Sequence, residues 1–357
     1  MRKLFFLLLL IPFRSIGGTD DSLTGKYSVS VSGNLGFIIA HRPSLQPLQE
    51  GHIKGFDINV AKKSTGKKQW EQDFLFPETG LIFSFFDLAT TKLGNGYTIY
   101  PYVDFPLSKT GNFHFRYGMG IGYIDRVFDK DENYKNAAIG SHWNGVIHFD
   151  LHYERALNAT SFLFGGVGIT HFSNGSFKIP NLGINIALMN AGFKKSFGSI
   201  MLNRKPIDEL ISRKPKTTIG IAGAMKRIYP AYGKQYYAAT LSGLRLMPVL
   251  KKSCLGIGAD LFYDNSIVPR LDRLNNGTHS PSDNFRLGVF GAYSLQVGNI
   301  GLMFNMGGYL YNKWKDDGNI YHRICLRYNW TKSFVCINLK THYARADFFE
   351  IGTGLGF

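Results

Sequence analysis

Cysteine is scarce in this chain: three residues in 357 leave no basis for a disulfide-rich framework. Proline is sparse at 13 residues, as expected of a chain built from paired strands, where proline removes a ladder hydrogen bond. Acidic residues number 25 against 41 basic ones, a positive balance that suits an anionic membrane or polysaccharide surface. Long apolar runs are missing after the first residues. A spanning helix needs about 20 consecutive apolar residues, so helical membrane insertion is excluded for everything downstream. No basic helix or zinc-ligand spacing occurs, and nucleic acid is not expected as a partner.

The chain starts with Met1-Arg2-Lys3, an apolar stretch from Leu4 to Phe13, and Ser15-Ile16-Gly17-Gly18. A short basic start, an apolar segment too short to span and a small-x-small site describe a secretory signal peptide over residues 1–17. Removing Arg2, Lys3 and Arg14 lowers the net charge from +16 to +13.

Glycine (41), phenylalanine (29) and tyrosine (19) are abundant, and they fall in a period of two. Over 112–123, Phe113, Phe115, Tyr117, Met119, Ile121 and Tyr123 alternate with Asn112, His114, Arg116 and three glycines. Over 146–154, Ile147, Phe149, Leu151 and Tyr153 oppose His148, Asp150, His152 and Glu154. The last strand sets Phe349, Ile351, Leu355 and the terminal Phe357 against Glu350 and glycines. Strand side chains alternate between faces, so each strand has one apolar and one polar or glycine-rich face, as in membrane β-barrels. A soluble sandwich would carry fewer bulky aromatics per strand. About sixteen candidate strands run from residue 26 to 357. The expectation is an all-β fold: a single antiparallel transmembrane β-barrel over residues 18–357, with an even strand count of 12–16.

Connection lengths set a sidedness. With the N-terminus in the periplasm, the long polar segments 127–143 and 265–284 lie outside and short turns such as 158–160 and 297–299 lie inside, the expected asymmetry. The segments 65–79 and 197–215 break it, and the second holds the one helix-like stretch, Pro206 to Ile211.

One segment carries chemistry. His171-Phe172-Ser173-Asn174-Gly175 is followed by Pro180-Asn181-Leu182-Gly183-Ile184-Asn185. In a strand, residues two apart share a face, so His171 and Ser173 can meet side by side, the minimum for a base to activate a serine. A His-x-Ser pair alone is weak evidence, because most such pairs merely finish a strand, and Asn-Gly and Asn-Leu-Gly are ordinary turn chemistry. Facing is open: His171 and Ser173 share parity with Leu163, Val167 and Ile169, while Phe162, Phe164 and Phe172 have the other.

The pattern His171-Phe172-Ser173-Asn174 with Pro180-Asn181-Leu182-Gly183 resembles the signature of the PagL-type lipid A 3-O-deacylases, outer-membrane barrels within a wider family of acyloxyacyl hydrolases. Looser similarity covers 26–196, including Arg116 to Tyr123 and Asn136 to Ser141. The family barrel has eight strands. Residues 216–357 lie beyond it and are read as additional strands of the same barrel. The resemblance implies an outer-membrane esterase with Ser173 as nucleophile, His171 as general base, and Asn174 or Asn181 at the oxyanion, with neither metal nor other cofactor. It implies lipid A or lipopolysaccharide as substrate and the outer-membrane bilayer as surroundings. The C-terminal Phe357 would be read by the barrel-assembly machinery. One position departs: the family's third catalytic residue, a Glu twelve residues after the serine, is here Asn185. Asn185 is then a weaker orienter of the imidazole, or another acid substitutes, or the enzyme is slow or inactive.

Other constellations have plainer readings. His148, Asp150, His152 and Glu154 fit a polar lumen lining better than a metal stripe, since same-face neighbours lie about 7 Å apart. Cys325 and Cys336 share lumen parity, and a two-residue turn at Trp330-Thr331 would set them opposite each other within disulfide reach. Against the esterase stands a non-enzymatic pore or structural barrel, favoured by the enlarged strand count and charged inward stripes.

Overall fold

The computed structural model describes residues 22–108, 110–204, 214–274, 278–343 and 345–357; the signal-peptide segment 1–17 and the helix-like stretch 206–211 lie outside them. Sixteen strands form two closed barrels of eight. The first contains β1 (Ser22–Ile38), β2 (Ile53–Lys63), β3 (Glu78–Asp87), β4 (Asn95–Pro106), β5 (Phe113–Ile124), β6 (Trp143–Ala156), β7 (Ser161–Ser173) and β8 (Ile184–Met201). The second contains β9 (Lys216–Arg227), β10 (Gln235–Leu250), β11 (Ser253–Asp264), β12 (Phe285–Val297), β13 (Ile300–Tyr311), β14 (Ile320–Asn329), β15 (Ser333–His342) and β16 (Arg345–Gly356). All neighbours are antiparallel and follow chain order. No helix among the described residues is long and apolar enough to cross a membrane.

The all-β antiparallel barrel is therefore observed, but the single barrel of 12–16 strands is corrected to two barrels, and residues 216–357 are not further staves of the first. Alternation specifies which face of a strand is apolar; it does not specify which edges meet. One edge of β8 pairs with β7 (Lys194 opposite Phe162) and the other with β1 (Lys194 opposite Ser30). No edge remains for β9, which closes instead against β16 (Ile351 opposite Gly223). The irregular connection at 197–215 is thereby explained: its latter part, from residue 202, joins the two barrels.

Both barrels are inside-out relative to a soluble protein. Along β1, Ser30 and Asn34 are 5% and 3% exposed while Val31 and Leu35 are 53% and 61% exposed. An apolar outer wall and a polar interior suit strands surrounded by lipid. Strands of 10 to 18 residues meet the roughly 9–11 residues a tilted strand needs to cross.

Eight-stranded barrels are narrow enough for side chains to fill, and both lumens hold paired charges. In the first, Asp104 takes Arg116 through Nε at 3.0 Å and Nη2 at 2.7 Å, and His114 Nδ1 lies 3.0 Å from its other oxygen. Lys194 donates to Glu154 at 2.6 Å. In the second, Arg323 bridges Asp260 and Glu350, each at 2.7 Å, and Lys340 donates to Asp347 at 2.7 Å. Buried charges persist only when so matched. The cavity beside Arg323 and Thr240 has a volume of about 20 Å³, on the scale of one water molecule.

The barrels stand side by side with corresponding ends together. At one end, Arg227 N–H donates to Ser176 O (2.8 Å) and the Ser176 hydroxyl donates to Ala346 O (3.3 Å). At the other, Lys252 Nζ lies 4.2 Å from the Phe74 ring centroid and donates to Asp73 O. The segment that broke the loop-length asymmetry near 65–79 is thus a buttress between barrels.

Cys325 and Cys336 are both inward-facing and buried, as their parity requires, but they are not opposite. The two-residue turn is Thr331-Lys332 rather than Trp330-Thr331, closed by Trp330 N–H donating to Ser333 O at 2.8 Å. The register pairs Cys325 with Asn338 and Cys336 with Arg327. The thiols are diagonal neighbours and both are free.

Candidate active site

The segment 171–185 closes the β7–β8 hairpin, at the barrel end that also carries the connections 39–52, 88–94 and 125–142. Thr170 and Phe172 are fully buried in the lumen, so His171 and Ser173 face outward, on the lipid side. This settles the face that sequence parity left open.

Register brings His171 directly opposite Asn185. His171 Nδ1 lies 2.6 Å from Asn185 Oδ1, and Asn185 Nδ2 lies 3.1 Å from Nδ1 of His41, in the β1–β2 connection. With the amide nitrogen donating to His41, the amide oxygen points at His171. An oxygen can only accept, so Nδ1 of His171 carries the proton and Nε2 is the basic nitrogen. His41 thus sets the orientation of the amide and, through it, the tautomer of the ring. Among the described residues the side chain hydrogen-bonded to His171 is the Asn185 amide, not a carboxylate.

Gly183 lies just beyond the last ladder pair, Phe172 with Ile184. The His171 ring lies over it: a Cβ on Gly183 would sit 2.7 Å from Cε1 and 3.4 Å from Nε2. Its φ of +77° is a second reason for glycine there. The imidazole therefore lies over Gly183 at the end of the β7–β8 connection.

No hydrogen bond joins His171 to Ser173 in this structure. Ser173 is 5% exposed, and its hydroxyl receives Asn181 Nδ2–H at 2.9 Å and Gly175 N–H at 3.2 Å. Asn181 Oδ1 also accepts from Asn174 N–H at 3.0 Å, so this side chain both holds the hydroxyl and braces the turn. Asn174 is spent elsewhere: its Nδ2 donates to Ser141 Oγ at 2.7 Å and its Oδ1 accepts from Lys178 N–H at 3.3 Å. Of the two asparagines considered for the oxyanion, only Asn181 is placed against the serine; Asn174 shapes the loop.

Two participants were not singled out from sequence. Ser141 anchors Asn174 from the β5–β6 connection, and His41 holds Asn185. Both act across more than thirty positions of chain, where local pattern gives no signal. The inward stripe His148, Asp150, His152, Glu154 is a lumen lining, as read. His148 pairs with Thr170 Oγ1 at 2.9 Å and His152 with Asp150 at 2.7 Å. Candidate ligand atoms of Asp104, His114 and His152 lie within 4.8 Å of one another, but Arg116 already forks onto Asp104 and supplies the compensating charge.

An apolar outer wall over a polar lumen, with a hydroxyl, an imidazole and two amides gathered at the rim, defines a membrane-type β-barrel with a polar site at one end. The profile described as lipid A 3-O-deacylase (PagL) matches residues 54–194, and that described as acyloxyacyl hydrolase, C-terminal domain, matches residues 216–357. The chain belongs to this family, whose members are outer-membrane proteins, and lipid A hydrolysis is its general activity. The second matched segment spans the second barrel, while the first runs from β2 into β8 and leaves β1 outside.

No curated protein matches the chain. Among solved structures, CdiB from Acinetobacter baumannii is 8% identical, covering 93% of this chain and 60% of that one, with a TM-score of 0.19. A bacterial polysaccharide outer membrane secretin is 10% identical over 94% and 98%, with a TM-score of 0.23. BamA from Haemophilus ducreyi lacking POTRA domains 1–3 is 12% identical over 93% and 70%, with a TM-score of 0.20. Overlap this slight carries no argument about function.

Proposed function

We propose that the chain hydrolyses the 3-O-linked acyl ester of lipid A through a covalent acyl-enzyme, with Ser173 as nucleophile and His171 as general base. Rotation of the Ser173 hydroxyl from Asn181 toward His171 lets Nε2 take its proton as Oγ attacks the ester carbonyl. The carbonyl electrons move to oxygen. The Asn181 amide and the Gly175 N–H, freed of the hydroxyl, become donors for that oxyanion. Collapse of the tetrahedral species breaks the bond to the sugar oxygen, which takes the proton from Nε2. Water then repeats the sequence on the acyl-serine, releasing the fatty acid.

The observation that carries this reading is the relay His41–Asn185–His171. It supplies what the missing carboxylate would otherwise enforce, a ring protonated at Nδ1 with Nε2 available on the serine's face. An amide cannot neutralise the imidazolium that forms, so turnover is slower than with a full acid at 185. Lipid-facing placement supports a membrane substrate. With the longer connections outside, the site meets the outer leaflet. The pore alternative is disfavoured by the filled lumens.

The test is mass spectrometry of lipid A from cells expressing the wild type or Ser173→Ala. Loss of one ester-linked chain with the wild type alone is expected; unchanged lipid in both would overturn the proposal. A subtler outcome concerns His41. His41→Ala removes one hydrogen bond worth about 1–1.5 kcal/mol, so kcat falls about tenfold with KM unchanged. His41→Asn, which can still accept from the amide, retains most of the rate. Equal loss of kcat in both variants would deny His41 its positioning role.

A further inference from the structure

We infer that the second barrel is the recognition element for the substrate's headgroup, binding a lipid phosphomonoester in the cleft between the two barrels; this deepens the reading of the site given above. The cleft, about 440 Å³, is lined on one side by Asn181 and its neighbours in the β7–β8 connection and on the other by residues of the second barrel. Asn181 is the residue that holds the Ser173 hydroxyl, so a ligand in the cleft lies beside the proposed nucleophile.

The second barrel's wall is cationic in a way its own structure does not consume. Arg227, Arg273 and Arg345 all line the cleft, and among the described residues none forms an ion pair. Arg227 donates from Nη1 only to a backbone carbonyl, Gly233 O, at 3.2 Å, while its Nε is buried without a partner. Arg273 likewise donates to a carbonyl, Tyr229 O. The acids nearby are already matched: Asp317 by Arg286 at 2.9 Å and Arg270 at 3.6 Å, and Asp347 by Lys226 and by Lys340 at 2.7 Å. Only Asp316 remains on the acidic side.

Three unmatched guanidiniums around one cleft fit a dianionic phosphate, which the planar fork binds in pairs of hydrogen bonds. The apolar wall continues below them: Phe349 on the outer face of β16 packs against Gly145 and Gly175 of the first barrel. A lipid with phosphate on its sugar and chains descending from it matches this vertical order, headgroup at the cations and acyl chains along the aromatic seam. A free phosphate ion would use the cations and ignore the seam.

The experiment uses the full-length Ser173→Ala protein in detergent micelles, so binding is read without turnover. Trp314, which lines the cleft, reports through its fluorescence, with Trp314→Phe as the blank. Bisphosphorylated hexa-acyl lipid A is expected to bind tighter than its dephosphorylated counterpart by about thirtyfold, the scale of one or two charge-assisted bonds. Arg273→Glu with Arg345→Glu removes that difference while leaving the dephosphorylated lipid's affinity unchanged. Both arginines are exposed, and unchanged heat-modifiable migration confirms that the barrels are intact. Equal affinity for the two lipids, or a difference that survives the double substitution, would overturn the inference. Millimolar inorganic phosphate reproducing the full signal would assign the cleft to a free anion and overturn it as well. Phosphate-selective binding by a wild type that never cleaves the lipid would sink the hydrolase reading and leave this one standing.

Discussion

Ser173→Ala is expected to lower kcat by about three orders of magnitude or more, and His171→Ala by nearly as much, with the double variant no worse than either. The argument starts from the division of labour at the rim of β7. Ser173 supplies the bond-forming oxygen and His171 Nε2 the proton acceptor, so removing either ends the covalent route. What survives is catalysis by donors and binding alone, which in serine hydrolases leaves roughly 10³–10⁴ over water. The drop is smaller here than in an enzyme with a full acid at the third position. Asn185 meets His171 Nδ1 at 2.6 Å, yet an amide leaves the imidazolium uncompensated, so the starting rate is already lower. The decisive measurement is a pair of assays on purified protein: steady-state release of fatty acid, and intact-protein mass spectrometry for an acyl adduct. The wild type should accumulate an adduct of acyl mass that maps to Ser173. An adduct on another residue, or single variants that retain more than about a tenth of the rate, would remove Ser173 and His171 from the chemistry.

Much of this is legible in the sequence, for a definite reason. Period-two alternation is a local property, so the apolar outer face of 112–123 and the polar stripe of 146–154 could be read residue by residue, and both face as read. The site was legible through a short run of chain: His171, Ser173, Asn181 and Asn185 all belong to one hairpin, and its register decides that 171 meets 185. Closure was not legible. Whether β8 returns to β1 or continues to β9 depends on edges meeting across about 150–180 positions, about which a strand's own sequence is silent. The nearest clue was the eight-strand extent of the resemblance together with the misfit connection at 197–215. The Cys325–Cys336 pairing failed because the turn sits one residue later, which moves every opposed pair by two positions and leaves both thiols on the inner face. His41 and Ser141 escaped because each reaches the site from a different connection, and the chemistry of a lone loop histidine or serine announces nothing until the barrel brings it home.

The dependence of the site on the second barrel can be tested at one glycine. Gly175 follows the Ser173-Asn174 pair, has φ +60°, and lies so close to Phe349 of β16 that a Cβ would fall 2.0 Å from the ring's Cδ2. Its N–H is also one of the two donors to the Ser173 hydroxyl, at 3.2 Å. Gly175→Ala therefore acts twice. The left-handed backbone costs about 1 kcal/mol for a residue with a Cβ, and the methyl cannot be housed unless Phe349 withdraws or the turn shifts. Since a displacement of about 1 Å in a positioning element can cost a hundredfold in rate, kcat should fall by about two orders of magnitude while both barrels stay folded. The two contributions separate in a double-mutant cycle. Phe349→Ala alone opens the seam and leaves the Ser173 turn unstrained, so its effect on kcat is small. Gly175→Ala with Phe349→Ala recovers most of the lost rate and retains a residual deficit of about fivefold from backbone strain. If the double variant were no faster than Gly175→Ala, the loss would lie wholly in the turn's own dihedral angles, and the second barrel would have no part in holding the serine.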